Sequence, residues 1–140
     1  MHITLHRKNK AVHFEAVNDS GNTIQIDGPE TIGGEGKGMR PMEILLTSIA
    51  GCSSFDLVEI LKKQKESLED IKISIQGTRK SEGDVKPFTH IEMLFTLTGN
   101  LNEAKVERAV KLSVEKYCSV AASLDPAIQL THRFEIIQPS

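Results

Sequence analysis

The chain has 140 residues, 39% hydrophobic and 26% charged, with a formal net charge of −2. Its length fits one domain over residues 1–140 with a core of useful size, and its scattered Lys and Arg form no basic stripe for nucleic acid. The longest uncharged apolar segment is about half of what a membrane-spanning helix needs, which speaks against a membrane partner.

The first residues, Met1-His-Ile-Thr-Leu-His-Arg7, carry charge and alternation where a signal peptide would carry an apolar block. A cytoplasmic location is expected, and there a structural disulfide is not the default reading of two cysteines. Alternation over His2–Arg7 and Ala11–Val17 predicts half-buried strands. Turn residues at 18–22 and renewed alternation at Thr23–Asp27 make an antiparallel meander. Residues 28–38 hold five glycines and one proline, which predicts a loose surface loop, a flexible lid that delivers Arg40 to a helix.

Pro41 suits a first helical turn because its missing N–H would go unbonded there anyway. Met42, Leu45, Leu46, Ile49, Ser53, Leu57 and Ile60 then recur at threes and fours, predicting a helix to about Gln64 or Ser67. Its first half carries almost no charge from Ile44 to Ser54 and is expected to be enclosed all round. Asp56, Glu59, Lys62 and Lys63 should bring the second half to the surface. Ile71, Ile73 and Ile75 alternate with polar residues as a strand, residues 81–84 make a turn, and Phe88–Thr98 is the return strand. Asn100 and Glu103 have capping-box spacing. The helix that follows is predicted to turn Ala104, Val106, Ala109, Val110, Ser113, Val114 and Tyr117 inward and to end at Cys118. A short apolar turn over 119–124 leads to a last strand, Ile128–Ile136. The order βββ-α-ββ-α-β is that of an α+β protein with a largely antiparallel sheet and two main helices. Six strands present more apolar surface than two helices cover, which hints at a second copy of the chain.

Buried cysteines are often plain small hydrophobes, so the settings of these two matter. Cys118 precedes a short helical turn whose open N–H groups favour a thiolate. Cys52 lies too deep in its helix for that dipole and needs a cation, for which Arg40 is nearest in sequence. The thiols are 66 positions apart on the two helices, a spacing that permits a redox pair without showing one. His2, His6, His13, His90 and His132 have no paired zinc-ligand spacing, and His2, His6, His13 and His132 are read as lying opposite the apolar set on their strands. The glycine loop fails the Walker pattern, since Thr31 stands at its first glycine and Gly38 follows Lys37. No Gly-x-Ser-x-Gly elbow occurs.

Arg40-Pro-Met-Glu43, Ala50-Gly-Cys52-Ser53 and Tyr117-Cys-Ser-Val-Ala-Ala-Ser-Leu124 together resemble the OsmC/Ohr family of osmotically induced and organic-hydroperoxide-resistance proteins, over nearly the whole chain. The resemblance implies an intertwined homodimer, a peroxidatic Cys52 and a resolving Cys118. It implies a thiol peroxidase that passes through a Cys52 sulfenic acid to a Cys52–Cys118 disulfide, reduced by a small dithiol or a lipoyl-type dithiol protein. No metal or flavin cofactor is called for. Met39, Met42, Leu45, Ile49 and Phe55 offer an apolar lining for an organic peroxide. In the family's hydroperoxidases a glutamate directly follows the proline and holds an arginine from an early strand against the thiol. Here Met42 takes that place and Glu43 comes one later, turned by about 100° around the helix. Arg7 is the only arginine before Arg40, so Arg40 with Glu43 stands as the substitute pair. The Arg-Pro-Met-Glu form looks like the YhfA-like branch. The rival readings are a binding or detoxification module and a redox-sensing dimer that keep the fold and thiols without efficient turnover.

Overall fold

Period-two alternation and a stripe of every fourth residue produce all the main elements. A computed structural model describes residues 1–139, and the chain folds as two compact units, Met1–Leu45 and Leu46–Ser140. The α+β class and the predicted element order are both present.

In the N-terminal unit, β1 (Ile3–Arg7), β2 (Phe14–Asn18) and β3 (Thr23–Ile26) form an antiparallel meander. Phe14 sits opposite both Arg7 and Ile26. Asn18 closes the β2–β3 turn, its side-chain oxygen accepting the N–H groups of Ser20 and Asn22 at 3.1 and 2.9 Å. This is the local bonding that makes asparagine a turn residue.

The glycine loop is not a loose lid. Asp27 is buried at the end of β3. Its carboxylate accepts backbone N–H bonds from Gly28 at 2.8 Å and from Glu35 and Lys37 at 3.0 Å. A short 3-10 turn, Glu30–Ile32, begins the loop. The chain then returns to lie beside β3, where the N–H of Met39 donates to Gln25 O and that of Asp27 to Met39 O. The glycines serve close packing: a Cβ on Gly34 would collide with the Gly28 carbonyl, and one on Gly38 with that of Gln25. Glycine counts mark the absence of side chains, which serves tight loops as well as loose ones.

Helix α1 (Pro41–Lys63) starts as predicted. Glu43 Oε1 accepts the Arg40 N–H at 2.9 Å while the Arg40 carbonyl receives the first helical bond from Ile44, half of a capping box. The far end closes as a Schellman turn, with Lys65 N donating to Lys62 O and Glu66 N to Leu61 O. Lys65 holds the left-handed position at φ 58°, where glycine is usual. The prediction that the first half would be enclosed all round is overturned within the single chain. Only Ile49, Ser53, Leu57 and Leu61 are buried, a stripe at every fourth residue. Phe55 is 76% exposed. The helix is also long and apolar enough to pass as a membrane span, contrary to the estimate from its uncharged segment. One stripe of it is buried within the chain and most of its surface is not.

In the C-terminal unit, β4 (Ser67–Arg79) and β5 (Phe88–Asn100) form the second hairpin, and β6 (Gln129–Ile137) pairs parallel to β5. Ile91, Met93, Phe95 and Leu97 on alternate positions of β5 are buried. Their neighbours are Ile75, Ile73 and Ile71 on β4 and Leu130, Phe134 and Ile136 on β6. His132 pairs with Met93, so it shares the apolar face rather than lying opposite it. There it is largely covered, with Nε2 3.7 Å from Glu115 Oε1.

α2 (Glu103–Leu112) is capped by Asn102, not Asn100, which ends β5. The Asn102 side chain accepts from Lys105 N at 3.0 Å. The return bond that a capping-box glutamate would make comes from Glu66, whose carboxylate takes the Asn102 N–H at 2.9 Å and the Lys105 ammonium at 3.2 Å. Those bonds, the Asn102 N–H first, hold the Glu66 carboxyl below its ordinary range despite desolvation. After α2 the chain widens into a π-turn, Ser113–Tyr117, and α3 (Ser119–Ala122) follows. Val106, Val110, Val114 and Cys118 form a buried ridge, flanked by the buried Ala109 and Ser113. The wider i→i+5 winding keeps a four-residue step in phase, so Cys118 takes the inward place expected of Tyr117. Tyr117 is 49% exposed, under the Lys116 ammonium 5.3 Å from its ring; Ala104 is exposed as well.

Asp27 supplies a pH test. The Lys37 and Glu35 N–H bonds lower its pKa most, burial opposes them, and the Gly28 N–H and the His13 charge lower it further. A depressed folded pKa gives stability that is present above the unfolded value near 4 and lost as pH falls through the folded one. Asp27→Asn should therefore lower stability at pH 7 and flatten the acid limb of the stability–pH curve. Urea titrations of both proteins between pH 7 and pH 2 measure this, and parallel curves would remove the assigned role.

Candidate active site

Both cysteines lie in the C-terminal unit, and both are free thiols. Cys52 is half-buried on α1, next to the stripe residue Ser53, whereas Cys118 is only 3% exposed. Cys118 is the N-cap of α3, with Sγ accepting the Ala121 N–H at 3.3 Å. One of the open N–H groups anticipated after Cys118, that of Ala121, is thus a real donor to the sulfur. Sγ also lies 4.0 Å from the Ile49 carbonyl of α1. The thiol sits over one turn of α1, the turn between Ile49 and Ser53.

Burial pushes the Cys118 thiol above its ordinary range. The Ala121 N–H pulls it back and the Ser53 hydroxyl acts in the same direction, while the neighbouring Cys52 thiol pushes it up. Cys118 Sγ rests over the Ile49 carbonyl, three residues before Cys52 on the same helix, which brings the two thiols to one turn of α1 although their residues are 66 positions apart. Cys118 is the sheltered member of the pair, and Cys52 is the one that solvent reaches.

The remaining predicted site residues are placed as follows. Met39, Arg40, Met42, Glu43 and Leu45 belong to the N-terminal unit. Met39 is exposed and bridges Ile26, Arg40 is exposed, and Met42 and Leu45 are half-buried. Glu43 caps α1 through the backbone of Arg40. In the C-terminal unit, Ile49 is fully buried, so its contribution beside the thiols is its carbonyl, and Phe55 projects outward.

Sequence reading put Ser53 on the inward face without giving it work, and it passed over Ala121 and Asp56. Asp56 stands one helical turn beyond Cys52, where side chains share a face, and its Oδ2 is buried without a hydrogen-bond partner. A polar residue interrupting an apolar stripe is the signal that marks Ser53. A separate cavity of about 720 Å³ lies between α2 and β6, lined among others by Glu103, Glu107, Lys111, Arg133 and Glu135. It contains neither thiol and offers both signs of charge, so the chemistry lies elsewhere.

A family model described as OsmC-like protein matches residues 34–133. The chain belongs to the OsmC-like family. This OsmC-like chain is 41% identical over 119 residues to Protein YhfA of Escherichia coli K12, covering 84% of the chain and 85% of YhfA. A hypothetical protein from Aquifex aeolicus VF5 has a crystal structure that superposes with a TM-score of 0.85 at 34% identity, over 99% of this chain and 97% of that one. An organic hydroperoxide resistance protein OsmC from Legionella pneumophila shares the fold, with a TM-score of 0.70 at 18% identity, over 95% of this chain and 94% of that one.

The burial difference fixes an order of reactivity within the OsmC-like site. Iodoacetamide at neutral pH should alkylate Cys52 first and leave Cys118 unmodified until the chain unfolds. Mass spectrometry of timed digests reads the order, and Cys118 labelling at the rate of Cys52 would contradict it.

Proposed function

We propose that the chain is a thiol peroxidase that reduces organic hydroperoxides. The observation that carries this is the placing of the chain's two cysteines on one turn of α1, Cys52 half-buried within it and the buried Cys118 thiol 4.0 Å from its Ile49 carbonyl. The Cys52 thiolate attacks the distal oxygen of the hydroperoxide. The O–O bond breaks, the alkoxide takes up a proton and leaves as alcohol, and Cys52 becomes a sulfenic acid. The Cys118 thiol condenses with it, forming the S–S bond and releasing water. A dithiol then restores both thiols and departs as its own disulfide. Family membership supports the reading, as does the hydroperoxide-resistance description of the Legionella protein that shares the fold.

The working form in this proposal is a homodimer. Every residue of β1 is exposed, and Ile3 and Leu5 on that strand and Phe55 and Val58 on α1 are apolar residues open to solvent that a second copy would cover.

Reduced protein offered cumene hydroperoxide or t-butyl hydroperoxide with dihydrolipoamide should turn over many times. Cys52→Ser should abolish this, and Cys118→Ser should leave about one oxidation per chain. A single stoichiometric oxidation of the wild type would favour a sensor, and no oxidation a binding module. Phe55→Lys should shift the mass measured by light scattering from two chains to one; a wild-type monomer would overturn the dimer.

A further inference from the structure

Serine in a helix commonly turns its hydroxyl back to the carbonyl one turn earlier. Ser54 bonds Gly51 O at 2.8 Å and Ser113 bonds Val110 O at 2.9 Å. Ser53 does not follow this pattern: it is fully buried and its Oγ has no hydrogen-bond partner. A Cβ on α1 tilts toward the helix N-terminus, so the Ser53 side chain leaves the helix on the side of Ile49, one turn earlier on the stripe. The Ile49 carbonyl is the group over which Cys118 Sγ sits, at 4.0 Å. An unspent donor thus belongs to the turn of α1 on which the sulfur rests, and that sulfur already receives the Ala121 N–H at 3.3 Å.

An unsatisfied buried hydroxyl lowers stability, which leaves a role in the reaction to be found. In thiol–disulfide exchange the attacked sulfur is the accessible one, and the departing thiol leaves faster the better its thiolate is stabilised. A dithiol reaches Cys52 and not Cys118, so Cys118 must depart from a buried place where its negative charge is disfavoured. We propose that Ser53 donates a hydrogen bond to Cys118 Sγ as that sulfur leaves during reduction of the Cys52–Cys118 disulfide, making Ser53 a leaving-group donor for the recycling step. One thiolate of the reductant bonds to Cys52 Sγ, the S–S bond breaks, and its electron pair goes to Cys118 Sγ. The Ser53 hydroxyl and the Ala121 N–H hold that anion until it takes a proton. The second reductant thiol then displaces Cys52 and closes the reductant's disulfide. This deepens the peroxidase proposal, on which its physiological setting rests. The Ser53 effect on the Cys118 thiol runs in the same direction.

The test needs no peroxide, so its outcome is independent of peroxidase activity. Diamide converts the wild type and Ser53→Ala to their disulfides, and stopped-flow then follows reduction by dithiothreitol. Ser53→Ala should be reduced about tenfold more slowly, the effect of one hydrogen bond to a charged group. Its thermal midpoint should equal or exceed that of the wild type, because a hydroxyl without a partner has been removed. In a Cys52→Ser background, the Cys118 thiolate titration at 240 nm should move to higher pH when Ser53→Ala is added. Equal reduction rates, a lowered melting point with an unmoved titration, or failure of diamide to join the thiols would each overturn the proposal. Should Ser53→Ala not fold, Ser53→Thr keeps the hydroxyl and Ser53→Val removes it at nearly the same size, and equal reduction rates for that pair would overturn it equally.

Discussion

The site depends on one contact: a thiol at the start of α3 resting on the middle of α1. It joins a helix near the beginning of the C-terminal unit to a turn near its end, and it requires several elements to agree in phase. The four-residue stripe of α1 must present the Ile49–Ser53 turn inward. The π-turn after α2 must keep the stripe of Val106, Val110 and Val114 running until it reaches Cys118. The first turn of α3 must bring the Ala121 N–H to the sulfur. Shelter and reactivity then pull against each other, because the burial that protects Cys118 also opposes its charge. The donors around it restore part of what burial removes.

The fold was legible wherever period and local chemistry agree. Alternation in β2, β4 and β5 and the start of α1 at Pro41 were read directly, because each depends on residues close together in sequence. The misses arose where a distant partner or a change of winding decides. Asn100 and Glu103 had the right spacing for a cap, but Glu66 supplies the bond to Asn102 from 36 residues away. His132 was assigned to the wrong face although its parity matches Phe134 and Ile136; its tip reaches toward Glu115, on another element. The glycine loop was taken as loose because composition does not reveal Asp27 gathering three N–H groups.

The site was legible in part. Its two cysteines drew attention by residue type and by the motifs around them, whereas nothing in their spacing establishes that they share one turn of α1. Arg40 and Glu43 were chosen for their nearness in sequence, and the bond observed between them is a helix cap made by the Arg40 backbone. Ser53 was counted as one more inward residue. Its importance lies in a bond it does not make, which no pattern of residue types records.

The π-turn between α2 and Cys118 carries a further consequence. Each residue there turns the chain by less than an α-helical residue's step of about 100°. Were Ser113–Tyr117 to rewind as ordinary α-helix with no residue removed, the side chains beyond it would turn away from the Val106–Val110–Val114 ridge and the sulfur would swing off α1. Deleting one residue within the stretch offsets that turn, so a shortened chain would gain regular winding and still hold Cys118 near its place. The irregular turn is thus a spacer that absorbs one residue between the ridge and the second sulfur.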